Sequence, residues 1–308
     1  MHRSLKLKIK DFEMSSRRLM LGFCLAVACG LLAMLQANVV GDDKTTEKTT
    51  DKIDLLKIFN AEFVDIVPGH GKFPKSFLMG SQTDPADEQP QHEVTIKAPF
   101  AMAKYEVPQA LYKSVLGNNP SHWKGARNST ETMTFAEAAD FCKQVTRQLQ
   151  DAKLITKGEE IRLPTEAEWE YCCRAGTATN YSFGDEPKKP EDKEPKASIL
   201  NDYGWHTGNA AGNDPAVGVL KPNPWGLYDM HGYLWEYVAD DWHDNYTAAP
   251  ADGSKWSSGE MAAPRVLRGG SWKDHYTKLR STTRRKLDAA AKDDEIGFRC
   301  VKAKVPKS

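Results

Sequence analysis

The chain has 308 residues, among them 42 basic and 42 acidic side chains, eight tryptophans and six cysteines. Zero formal net charge argues against a nucleic-acid or polyanion partner, which would call for a basic face. Six cysteines are too few to staple a chain of this length, so the composition fits a loop-rich α+β protein of one large or two ordinary domains, pinned by aromatic clusters.

At the amino terminus Arg17 and Arg18 precede an uncharged run from Leu19 to Val40, and Asp42 and Asp43 follow. This basic, apolar, polar order reads as a secretory signal. The run is also long enough to span a bilayer, so an uncleaved anchor is the alternative, against which Gly22, Gly30, Gln36 and Asn38 count. Ser16-Arg17-Arg18 also resembles a twin-arginine signal, but two ordinary basic residues of a general secretory signal are the preferred reading. Cys29 follows a faint lipobox, but the apolar run continues past it. Residues 1–41 are therefore expected to be a signal peptide or anchor. The remainder is expected to be exported, periplasmic or extracellular, meeting a membrane only through residues 19–40 if they stay attached.

Residues 42–58 are charged and threonine-rich and read as a linker, 59–303 as the folded domain, and 304–308 as a tail. Inside the domain, Glu186 to Lys196 has alternating charges and reads as a solvated loop. Three helices are predicted. Pro108 stands where one begins, Leu111, Val115 and Leu116 form its stripe, and Gly117 ends it. Thr134 with Glu137 makes a capping box, and Phe135, Ala138, Ala139, Cys142, Val145 and Leu149 share the face behind it. Thr165 with Glu168 makes a second box after Pro164, and Gly176 stops that helix. The glutamates there are helix-start residues; paired catalytic carboxylates at Glu166 and Glu168 are the sharper alternative. Val94 to Ile96, Val266-Leu267 and Phe298 to Val301 are the predicted strands. Asp240, Asp241, His243 and Asp244 are dense enough to suggest a transition-metal site, but with no matching second cluster they read as a solvated turn.

Several motifs stand in a recognisable order. They are Phe77-Leu-Met-Gly80, Lys104-Tyr-Glu-Val107, Arg162-Leu-Pro-Thr-Glu-Ala-Glu-Trp-Glu-Tyr171 with Cys173-Arg-Ala-Gly176, and Asn223-Pro-Trp-Gly-Leu-Tyr-Asp-Met230 with Gly232-Tyr-Leu-Trp-Glu236. The series ends with Arg268-Gly-Gly-Ser-Trp272, Arg280-Ser-Thr-Thr-Arg284 and Gly297-Phe-Arg-Cys300. Together, over roughly Glu62 to Val301, they resemble the formylglycine-generating enzyme, or sulfatase-modifying factor, family. The resemblance implies an α+β fold, a loop-rich distorted relative of the C-type lectin fold, whose loops carry binding.

It also implies a structural calcium held by Asp229, the carbonyls of Gly232 and Leu234, and Glu236, a mixture of oxygens that suits this ion. Asn201 and Asp214 lie in the region of a second calcium site, while His231, within the turn, is a poor calcium ligand and reads as structural. Trp235 and Ser271 correspond to positions lining the family's substrate groove, though either residue also suits plain packing or a turn; Asp274, His275 and Tyr276 extend that groove. Cys142 and Cys300 correspond to a long-range disulfide, as an exported protein would carry. Cys173 faces a partner position occupied by Ser281, and neighbouring Cys172 cannot bridge to it without strain.

The family places two copper-binding cysteines after the Gly-Gly-Ser. Here residues 271–299 contain none, and Lys273 to Leu279 stand in their place. Copper(I) is soft and wants thiolates, so bound copper and formylglycine formation are not expected. Two functions remain in view. One is a calcium-stabilised binding module for an exported protein, a peptide, a glycan or a sulfatase. The other is an oxidoreductase with altered chemistry, acting on a cysteine or another side chain of a protein or peptide.

Overall fold

The computed structural model describes residues 51–212 and 214–305. The expected signal or anchor, most of the expected linker and the end of the tail lie outside the described residues. The first described element corrects the linker boundary. Lys52–Ala61 is a helix, α1, that buries Leu56 and Phe59, and Phe59 meets Phe63 edge-on at 5.0 Å. Each such side chain, once buried, contributes about 1.5–3 kcal/mol, enough to dock one short helix whose Ile53 and Ile58 stay exposed.

A four-stranded antiparallel sheet follows from β1 (Phe63–Ile66), β4 (Phe100–Ala103), β5 (Glu159–Arg162) and β10 (Val301–Lys304), in the order β1-β4-β10-β5. Between its first strands runs a two-stranded ladder of β2 (Ser76–Met79) and β3 (His92–Thr95), the latter two residues earlier than the strand predicted at 94–96. Helix α2 (Gln109–Leu116) starts after Pro108 and stops at Gly117, whose φ of 85° suits a residue without a Cβ. Helix α3 (Phe135–Asp151) carries both bonds of its predicted capping box, a feature worth about 1 kcal/mol. Its buried face includes Phe141, which the predicted stripe omits, in place of Ala139. Phe141 stacks on Tyr112 and meets Phe298, both at 5.4 Å, so α2, α3 and the end of the chain share one core.

Helix α4 (Glu166–Arg174) has the second capping box, and all nine of its residues are buried. A helix buried all round must pair every charge it carries. Beside it lies the second four-stranded sheet, of β6 (Trp235–Asp241), β7 (Arg265–Arg268), β8 (Arg284–Leu287) and β9 (Ile296–Gly297), in the order β8-β7-β6-β9 with β6 and β9 parallel. The single strand predicted at 298–301 is instead a crossing between sheets. β9 ends at Gly297 and β10 begins at Val301, while Phe298 and Cys300 accept backbone hydrogen bonds from Val107 and Ala103. Arg299 is thereby placed where the two sheets meet.

Candidate functional site

The crossing builds the first candidate centre. Arg299 is fully buried and donates from Nε and from a terminal nitrogen to the two oxygens of Glu236 on β6, both at 2.7 Å. It also reaches the carbonyls of Lys104 (3.2 Å) and Tyr228 (2.9 Å). Trp169 Nε1 of α4 adds a third donor to Glu236 at 2.9 Å. Asp229 precedes this strand in the left-handed region (φ 56°), which Asp tolerates better than most residues. Its Oδ2 accepts from Gly218 N at 3.0 Å, whereas its buried Oδ1 has no partner. Gly232, at φ 115°, is required, since a Cβ there would sit 2.4 Å from Trp205 O.

Glu106 completes the group and was not singled out from sequence, although it lies in the Lys104–Val107 motif. It accepts from Leu234 N at 3.2 Å and from the Ser129 hydroxyl. Three buried carboxylates thus face one guanidinium. Burial first, then Glu236 and Asp229, push Glu106 well above the usual carboxylate range. Burial, with Glu236 adding, lifts Asp229 to about 6. The surplus negative charge and the orphaned Asp229 Oδ1 fit an oxygen-liganded cation of the kind the resemblance implies. Glu236 also has acceptor capacity left beyond its three donors. No group of three or more His, Cys, Asp or Glu side chains among the described residues forms a metal cage, so any such ion needs main-chain carbonyls, as at Gly232 and Leu234.

The second centre is the segment after Gly270. Trp235 and Ser271 are buried rather than open to a groove. Asp274 Oδ2 gathers Ser271 N (3.0 Å), the Ser271 hydroxyl (2.7 Å) and Trp235 Nε1 (2.7 Å). Ser271 Oγ also lies 3.0 Å from Glu295 Oε2, with one proton to serve both acids. His275 and Tyr276 turn the other way, onto Glu194 of the charged loop, at 2.8 and 2.7 Å. Lys188, then Tyr276 and His275, hold the Glu194 carboxyl below its ordinary range. Leu279 is fully buried against Tyr181 and Tyr276. The five expected groove residues therefore split: buried Trp235 and Ser271 are knotted to half-buried Asp274, and His275 and Tyr276 clamp a loop.

Copper does not fit here. The segment offers no sulfur, and the four described cysteines are buried thiols on other elements. Burial pushes Cys173 up to about 12 and Cys172 well above the ordinary thiol range, so neither supplies a thiolate. Cys173 lies 3.6 Å from Ser281 Oγ, as the partner position suggests. Cys142 and Cys300 face each other with sulfurs 3.9 Å apart, as thiols rather than a closed disulfide.

The remaining expectations resolve as anchors. Arg284 binds Glu166 at 2.6 and 3.1 Å, and Arg268 binds Glu170 at 2.6 Å. Burial alone would raise Glu166, but Arg284 and Arg268 outweigh it and hold the carboxylate ionised. Glu168 is tied to Arg162 and its own cap, so Glu166 and Glu168 are structural. Asp240 accepts from Glu166 N and Trp256 N, Asp241 pairs with Arg265, His243 stacks on Trp256 at 3.5 Å, and Asp244 binds Trp242. Their partners diverge, and no metal site forms. Asn201 is engaged by His206, and Asp214 by Tyr233 and Asn128. His231 accepts from Ser182 N at 3.0 Å and lies 2.9 Å from Leu279 O, as a buried core histidine.

The fold and these motifs together define a sulfatase-modifying-factor domain. Residues 73–304 match the family described as the sulfatase-modifying factor enzyme 1-like domain, and the chain belongs to that family. It is similar to a formylglycine-generating enzyme of Mycobacterium tuberculosis, 30% identical over 167 residues that cover 49% of this chain and 54% of that protein. It is also similar to the inactive C-alpha-formylglycine-generating enzyme 2 of Bos taurus, 33% identical over 49% of this chain and 46% of that protein. The chain thus spans about half the length of these relatives. The solved structure of PvdO from Pseudomonas aeruginosa shares the fold, with a TM-score of 0.63 at 29% identity over 74% of this chain and 90% of that one.

Proposed function

We propose that this member of the family lacks formylglycine-generating chemistry and acts as an exported, calcium-stabilised binding module for a protein or peptide. The observation that carries the reading is the state of the Lys273–Leu279 segment. Where the resemblance places the copper thiolates, one oxygen of Asp274 accepts three hydrogen bonds and Leu279 is buried. A redox metal has no soft ligand there, and a substrate cysteine has no thiolate to meet. The Bos taurus relative described as inactive shows that the family includes members so described. In such a protein the loops on the rigid sheets are left to bind.

The test is a peptide bearing Cys-X-Pro-X-Arg, incubated with the protein, copper and oxygen and followed by mass spectrometry. No formylglycine above a metal-free control is expected. Copper-dependent conversion would overturn the reading in favour of an oxidoreductase, and Asp274, His275 and Tyr276 would be the first residues to replace.

A further inference from the structure

A cavity of about 210 Å³ opens beside the knot of Trp235, Ser271 and Asp274, lined mostly by apolar surface from Trp123, Ala210, Gly212, Tyr233 and Trp272, with Asp214 among its walls. Tyr233 belongs to the calcium turn and Trp272 to the segment after Gly270, but neither side chain is among the expected ligands there, and Asp214 is held by Tyr233 and Asn128. Two indoles form a corner, standing 86° apart with centroids at 6.5 Å. Both are fixed by their edges to one residue: Trp123 Nε1 donates to Asp294 Oδ2 at 3.3 Å, and Trp272 Nε1 to Asp294 O at 3.4 Å. The ring positions are thus set before any ligand arrives.

The charged groups around the corner are mostly carboxylates. Tyr233 OH lies 2.6 Å from Pro215 O and 3.1 Å from Asp214 Oδ1. Asn128 Nδ2 donates to the other oxygen of Asp214, which has no cationic partner among the described residues. Asp293 and Asp294 share Lys273 between them. Lys273 itself lies over the Trp272 ring at 5.2 Å but does not line the cavity. Three carboxylates against one ammonium leave the region negative.

We propose that this cavity binds an alkylated ammonium group, by the faces of Trp123, Trp272 and Tyr233 and the charge of Asp214. A cation over an aromatic face is attracted by the ring quadrupole, most strongly over tryptophan. A primary ammonium carries three N–H donors that need acceptors in exchange for water. Asp214 keeps acceptor capacity beyond its two donors and can meet one such N–H, but the mostly apolar walls leave the others short, so a primary ammonium recovers only part of its hydration. An alkylated head has little hydration to replace and fills apolar walls. A neutral group of the same shape would gain the walls and lose the charge. The site stands whether or not the domain retains chemistry elsewhere.

The test uses the full chain, titrated with choline and with a peptide containing trimethyl-lysine, followed by tryptophan fluorescence and calorimetry. The uncharged tert-butyl isostere of choline and the same peptide with unmodified lysine are the controls. Saturable binding of at least one ammonium probe is expected, about tenfold or more tighter than its control. Trp123→Leu, at an exposed position, and Asp214→Asn should each weaken it several-fold without lowering the melting temperature. A stronger response to choline would assign a free small molecule, and one to the peptide a methylated side chain; either supports the site. Absence of saturation by both probes, equal binding of the controls, or full binding by Trp123→Leu would overturn it.

Discussion

Arg299 sits inside the Gly297-Phe-Arg-Cys300 motif, yet its work is visible only in three dimensions, where one guanidinium joins Glu236, Lys104 and Tyr228 across two sheets. Residues of this kind were legible as signature letters and illegible as roles, because a motif records identity without partners. Asp274 is the converse. Its sequence neighbours suggest a groove, but the hydrogen bond from Trp235, 39 positions away, closes it. His206 was not read from sequence at all. It is buried, its Nε2 lies 2.8 Å from Asn201 Oδ1, and its Nδ1 accepts from Gly208 N at 3.1 Å, an arrangement of the neutral ring. Burial, with His275 adding, pushes its pKa from 6.5 down to about 4. A folded pKa below the unfolded one gives stability that is fully present above about 6.5 and is lost as pH falls through about 4. The chain should therefore weaken on acidification across that window. The His206 ring signal in NMR should titrate near 4; a midpoint near 6.5 would contradict the assignment.

Helices were the most legible elements, since α3 and α4 announce themselves by capping boxes, and α2 and α4 by a glycine at their ends. Helix α1 was not, because it follows directly on the charged linker and is short, so docking of Leu55, Leu56 and Phe59 on the core decided its state. The short strands were seen in part; their exact limits depend on partners far away in sequence, as at the crossing of β9 into β10. That crossing sets Cys300 against Cys142 on α3, with sulfurs 3.9 Å apart and burial, then Cys142, raising the Cys300 thiol well above its ordinary value. A bonded pair needs about 2 Å between sulfurs, so a small approach of the two elements closes it. In protein recovered from an oxidising compartment we expect Cys142 and Cys300 to be joined. The link would span 158 positions, with a stabilisation of up to about 4–5 kcal/mol in the chain-entropy account. Peptide mapping without reductant checks this: joined peptides and a melting temperature that drops on reduction are expected. Two freely alkylated thiols would rule the bond out.

At the scale of the molecule, the family and its α+β scaffold were legible because several spaced motifs agree, while the balance of charge in the core was not. Sequence shows zero net charge; folding gathers Glu106, Asp229 and Glu236 around Arg299 and leaves the centre short of positive charge. A cation bound only by the folded state stabilises it by mass action, about 2.7 kcal/mol at a hundredfold excess over its dissociation constant. Added calcium should therefore raise the melting temperature, and a chelator should lower it. Glu236→Ala is a poor probe, since it also strands Arg299 without its buried partner, a loss of about 3–5 kcal/mol in its own right. Asp229→Gly is cleaner: it removes the orphaned Oδ1, and glycine accepts the φ of 56° without strain. That variant should fold and lose most of the response to calcium. A melting temperature in the parent chain that is the same with calcium and with chelator would remove the ion from the centre, and a proton on Glu106 would then relieve the surplus negative charge.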